Sequence, residues 1–158
     1  MTTIIDGDQL RAIALGVRVT KSVSPASGST DLFTITGGRV LVTALVGEVT
    51  TVMSATATSL SLQSDPTAGA AADIAAATVV TSDAVGTLYS ITGVAADLLS
   101  AQTVTGTQVP GVAFAPASGR VVLPAGKVTQ VGTAANTGVT EWTLCYIPLD
   151  DGAAVEAA

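Results

Sequence analysis

The chain has 158 residues, a formal net charge of −6 and only 11% charged side chains, against about 25% in an ordinary soluble domain. It holds no histidine and one cysteine, Cys145. That excludes Ser-His-Asp and Cys-His catalysis, an internal disulfide and a Cys/His zinc site. The six Lys and Arg residues are scattered, so no basic stripe offers itself to phosphate and nucleic-acid binding is not expected.

The length suits one domain with a core of its own. The N-terminus, Met1-Thr2-Thr3-Ile4-Ile5-Asp6, lacks the basic and apolar segments of a signal peptide, so synthesis and assembly in a cytoplasm are expected. Mean hydropathy is +0.60. The longest uncharged stretch, residues 98–119, is interrupted by Pro110, Pro116 and several glycines, so no membrane span is predicted. The apolar residues therefore belong in a core, an interface or both.

Residues 1–16 stand apart as an N-terminal arm or short helix, the helix capped by Asp8 and ended by Gly16. From residue 17 the texture is strand and turn. Val17-Arg18-Val19-Thr20 alternates, and Ser22 to Thr30 reads as a loop. Asp31 to Thr36 is a predicted strand with Phe33 and Ile35 on one face. Gly37-Gly38 suits a tight two-residue hairpin turn. Arg39 to Met53 is the longest apolar strand, with Val40, Val42, Ala44, Val46 and Val52 on one face and Leu41 and Leu45 on the other.

Thr58 to Gln63 alternates, with Leu60 and Leu62 facing in. Asp65 to Gly69 is a turn, and the alanine-rich residues 70–77 favour no assignment. Short strands are predicted at Thr78–Thr81 and Gly86–Thr92, and one or two helical turns at Val94–Ala101. Further strands follow at Gly111–Pro116, Arg120–Leu123 and Lys127–Thr133. The clearest strand, Val139–Ile147, places Trp142, Leu144 and Tyr146 on one face. Residues 150–158 read as a flexible tail. The expected fold is all-β, an antiparallel sandwich or barrel of jelly-roll type over residues 17–149. Its core is assigned to Phe33, Val40, Val42, Trp142, Leu144 and Tyr146.

The residue types offer little chemistry. Neither phosphate-binding glycine motif is present. The adjacent Asp150 and Asp151 are a conceivable carboxylate pair, but sit where turn formers are expected. Asp65, Asp73 and Asp83 match no calcium-loop spacing. Cys145 needs a nearby cation to become a nucleophile, and the nearest in sequence is Lys127. Trp142 and Tyr146, or Tyr89, could stack on a sugar ring if exposed. No catalytic residue, metal or cofactor is predicted, and the chain is read as a non-enzyme.

Three strings and a closing segment carry a resemblance. They are Asp31-Leu32-Phe33-Thr34-Ile35-Thr36-Gly37-Gly38-Arg39-Val40, Val46-Gly47-Glu48-Val49-Thr50-Thr51 and Gly86-Thr87-Leu88-Tyr89-Ser90-Ile91-Thr92-Gly93. The closing segment runs from Ala134-Ala135-Asn136-Thr137-Gly138 through Trp142-Thr143-Leu144 to Tyr146-Ile147-Pro148-Leu149-Asp150-Asp151-Gly152. Across residues 30–152 the chain resembles small virion structural proteins of actinobacterial tailed phages. The resemblance implies a capsid decoration protein on the capsid exterior, trimeric around local threefold points, with the major capsid protein as partner. By carry-over from that class, Ile4, Ile5, Leu10, Arg11 and Ile13 would form a capsid-contact arm. The alternative implied is a minor tail or fibre protein, with carbohydrate as its ligand.

Overall fold

The computed structural model describes residues 6–92, 94–96, 100–101, 103–104, 107–108 and 120–158. Helix α1, Gly7–Leu15, is built from good helix formers and ends where Gly16 turns to φ 82°. Strands β1 to β6 are Val17–Val23, Gly28–Thr36, Val40–Thr51, Ser59–Pro66, Ala72–Val79 and Leu88–Ser90. Strands β7 to β9 are the short Ser100–Ala101, Thr103–Val104 and Thr107–Gln108. Strands β10 to β13 are Val121–Leu123, Gly126–Gly132, Val139–Pro148 and Ala154–Ala157. Of Val94–Ala101, where one or two helical turns are expected, residues 97–99 lie outside the described residues, and Ser100–Ala101 is strand β7. The strand expected at Gly111–Pro116 lies outside the described residues.

All pairs of described strands are antiparallel, with one isolated parallel bridge at Ser27 and Gly132, and the fold is an all-β sandwich with a short N-terminal helix. The first sheet runs β1-β12-β3-β6-β7, with β10 on the Val40–Val42 end of β3. The second contains β11-β4-β5. The β13–β2 ribbon lies beside β11, where Lys127 Nζ meets Asp31 Oδ2 at 2.5 Å.

The core lies between the sheets, and Phe33, Val40, Val42, Trp142, Leu144 and Tyr146 are all buried in it. Trp142, on β12, faces Gly47 on β3. A Cβ on Gly47 would stand 2.8 Å from the indole ring, so only glycine leaves the ring its seat. The indole Nε1 donates to Gln130 Oε1 of β11 at 3.1 Å, a buried bond between the sheets. Tyr89 packs its ring 6.2 Å from the indole, and its hydroxyl donates to Asp83 Oδ2 at 2.5 Å. Burial pushes the Tyr89 phenol far up, and the Asp83 contact adds to this.

Three further expectations about the strands and the tail need correction. Gly37-Gly38 is not a hairpin turn: β2 pairs with β13 and β3 with β12, so these glycines carry the chain from one sheet to the other. Both have positive φ and lie against residues 150–152, with no room for a Cβ. The division of β3 into an even-numbered and an odd-numbered face does not keep its phase either. The β3–β12 register slips between Ala44 and Val42, making Thr43 an extra, bulged residue. Val40 and Val42 are buried before the bulge, and Leu45 and Val49 after it, while Val52 is exposed.

The third correction is the tail. Residues 154–157 form β13 on β2, with Ala153 and Val155 buried. Val155 N donates to the Tyr146 hydroxyl at 3.1 Å, and Lys21 Nζ contacts the Ala158 carbonyl. Ahead of the strand, Asp150 accepts from the Arg39 backbone N at 2.7 Å, from Nε at 3.0 Å and from Nη2 at 2.8 Å. Small residues in the segment hid this role, because its pairing partner lies far away in sequence.

Gly47→Ala is expected to lower unfolding stability by about 1–3 kcal/mol, because the added methyl forces the indole off its seat; denaturant titration measures this. The Arg39 hydrogen bonds hold the Asp150 carboxyl down at about 2. Its contribution is therefore complete above the unfolded carboxylate value near 3.9 and is lost as pH falls through about 2. Asp150→Asn should lower the melting temperature at pH 7, and the gap to the wild type should close between about pH 4 and pH 2.

Candidate interaction surface

The pleat sends alternate residues of β1, β12 and β3 to the face of the first sheet away from the core. Cross-strand register sorts them into rows. Cys145 lies between Arg18 and Ala44, Thr143 between Thr20 and Val46, and Glu141 between Ser22 and Glu48. Ile147 pairs with Leu41, and its side chain approaches Gly16. An outward sheet face is ordinarily polar. Here one half is small or apolar and the other carries the carboxylates.

Helix α1 lies over the apolar half. The Thr43 hydroxyl donates to the Leu15 carbonyl at 2.5 Å, and Gly16 presses on the Tyr146 carbonyl. Between helix and sheet is an open cleft of about 730 Å³, lined by Ala12, Leu15, Ala44, Val46, Thr143 and Cys145, with Asp8, Arg11 and Arg18 also on its walls. No residue of α1 is buried: Leu10 is 59% exposed and Ile13 76%. Val17 and Ile147 add exposed apolar surface beside Gly16, where the helix ends. Asp6 occupies the N-cap position without a side-chain cap, and Asp8, expected to cap, pairs with Arg11 in the first turn.

Of the proposed arm residues, Leu10, Arg11 and Ile13 share this exposed helix, while Ile4 and Ile5 lie outside the described residues. The half-apolar sheet face beneath was missed in the sequence. Its signal was the apolar character of both faces of β3, but the Thr43 bulge and the distant partner β12 decide which side chains join it.

The other chemical candidates disperse. Trp142 and Tyr89 are fully buried, so neither offers a ring to a sugar. Asp150 is committed to Arg39. Asp83 is buried against Tyr89, and Asp73 accepts from Gln63 Nε2 at 2.7 Å. Among the described residues no group of three or more acidic, Cys or His side chains could hold a metal. The cation near Cys145 is Arg18, not Lys127. Burial pushes the thiol up, and Arg18 draws it back only in part. A second hollow of about 320 Å³ lies between β5 and β10, its lining apolar apart from Ser64 and Asp73.

At the far end of the sandwich, Asn136 holds the chain reversals together. Its Oδ1 accepts from Ser54 N at 2.8 Å and Gly138 N at 3.0 Å, and its Nδ2 donates to Thr58 Oγ1 at 3.2 Å. This is a structural hub with no free valence for a ligand. The chain matches no protein-family model, no curated protein and no solved structure.

Because Cys145 sits under α1 with a raised pKa, thiol reagents at pH 8 should label it slowly. Removing residues 1–15 should speed labelling by about tenfold or more, as followed by absorbance or mass spectrometry.

Proposed function

We propose that this chain is a structural virion protein of a tailed bacteriophage, a capsid decoration protein that assembles from several copies and stabilises the shell it covers. It would be made in the host cytoplasm and bind the outer surface of the major capsid protein. The observation that carries the reading is α1: an apolar-bearing helix with no buried residue, mounted over a half-apolar sheet face. A monomer does not ordinarily display such surface unless something covers it. The family resemblance supplies the identity of the particle.

The reading is of a non-enzyme. Cys145 is covered and its thiol disfavours ionisation, Asp150 is tied to Arg39, and the chain has no histidine to act as base. Low surface charge suits a protein that spends its life against other copies and a shell, where many weak contacts act together. The arm residues Leu10 and Ile13 would enter apolar hollows of the shell, with Arg11 at the rim.

The test is co-sedimentation with empty phage shells that lack their outer proteins, followed by thermal scanning of the shells. The chain should bind, raise the shell melting temperature, and lose about tenfold or more in affinity on Leu10→Asp with Ile13→Asp. Failure to bind shells, or binding untouched by the double substitution, would refute the reading.

A further inference from the structure

We infer that the cleft between α1 and the first sheet binds one single-chain carboxylate amphiphile of the fatty-acid type. Its chain lies on Ala44, Val46 and Cys145 beneath Ala12 and Leu15, and its carboxylate meets Arg18. The inference does not depend on the virion reading. At about 730 Å³ the cleft falls within the range of roughly 300–1,000 Å³ usual for small-molecule sites. Its roof is one face of the helix, because Asp8, Arg11, Ala12 and Leu15 recur at the spacing that brings side chains to the same side. Leu10 and Ile13 are on the opposite side and stay free for a shell. No residue of α1 is buried, so roof and floor do not interdigitate, and the apolar groups of both lack close packing partners across the cleft.

Charge selects the head group and its orientation. Asp8 and Arg11 pair with each other on the cleft wall and cancel. Arg18 is exposed and has no ion pair among the described residues, so the cleft carries one net positive charge. One charge matches a carboxylate, whereas a phosphate monoester carries about −1.5 to −2. The planar guanidinium also fits a carboxylate with two parallel hydrogen bonds. Arg18 stands in the row of Cys145 and Ala44, and its charge is felt at the Cys145 thiol. From there the floor continues to Thr143 and Val46, and then to the exposed, directly opposed Glu141 and Glu48. Those carboxylates are four residues from Arg18, roughly 13 Å along the strands. They repel an anionic head from that end and leave it to the end of the chain. A ligand with a second carboxylate at its far end meets them, so the cleft rejects dicarboxylates.

Isothermal titration calorimetry with decanoate, 1-decanol and decanedioate, each below the concentration at which it aggregates, tests this. Decanoate should bind at one site per chain, and decanol and decanedioate about tenfold or more weaker. Octanoate, two CH₂ groups shorter, should also bind about tenfold weaker than decanoate. Decanoate should slow the labelling of Cys145 over the same concentration range in which it binds. Arg18→Gln should weaken decanoate binding about tenfold and remove its preference over decanol. Val46→Trp, which fills the floor, should abolish binding; circular dichroism checks that it is folded, and Arg18→Gln, at an exposed position, decides the matter if it is not. No saturable one-to-one binding by the wild type, decanol or decanedioate bound as tightly as decanoate, or an affinity untouched by Arg18→Gln each overturns the inference.

Discussion

The Trp142 indole is the part on which the rest of this sandwich depends. It rests on the bare backbone of Gly47 within its own sheet and donates across the core to Gln130 of the other. A neutral buried hydrogen bond contributes only about 1 kcal/mol net, but leaving the Gln130 carbonyl unpaired would cost more. The bond therefore specifies the spacing and register of the two sheets as much as it stabilises them. Tyr89 and the buried Asp83 extend the same contact to β6 and the turn that precedes it. Once the indole faces inward, the pleat compels Glu141, Thr143 and Cys145 to face outward, which creates the surface discussed above.

Much of the architecture was legible from local pattern. Alternation in Val139–Ile147 placed Trp142, Leu144 and Tyr146 together, and Leu60 and Leu62 marked their strand in the same way. Gly16 announced the end of α1. What stayed hidden depended on non-local partners. Gly37-Gly38 has the composition of a hairpin turn, yet it crosses between sheets because Asp150 and Gly152 wait on the other side. The inward phase of β3 reverses at Thr43 because β12 runs past it one residue short. Residues 154–157 lack the bulk that signals a strand, and only Tyr146 and the edge of β2 make them one. The interaction surface was half visible: Leu10 and Ile13 stood out, but the face beneath needed the pairing of strands far apart in the chain.

A sandwich of this kind has two outward faces and few charges with which to cover them. The six cations are spent unevenly. Arg39 and Lys127 pin connections and strands, Lys21 meets the Ala158 carbonyl, and Arg11 pairs along the helix. That leaves two exposed cations, Arg120 just ahead of β10 and Arg18 on an otherwise small and apolar stretch of the first sheet. The low charge content is thus concentrated into specific places and does not act as a general solvating coat.

The way β13 closes the fold has a consequence for how the chain is made. Val17–Val23 waits for Val139–Pro148, and Gly28–Thr36 waits for Ala154–Ala157, so both early strands emerge from the ribosome long before their partners. Loops of that length are slow to close, and all-β folds dominated by such pairings form in milliseconds to seconds. Until residues 153–157 arrive, the edge of β2 and the hydroxyl of Tyr146 stand open. An unpaired strand edge is a template for pairing with another chain, so β13 shields the β2 edge that it covers.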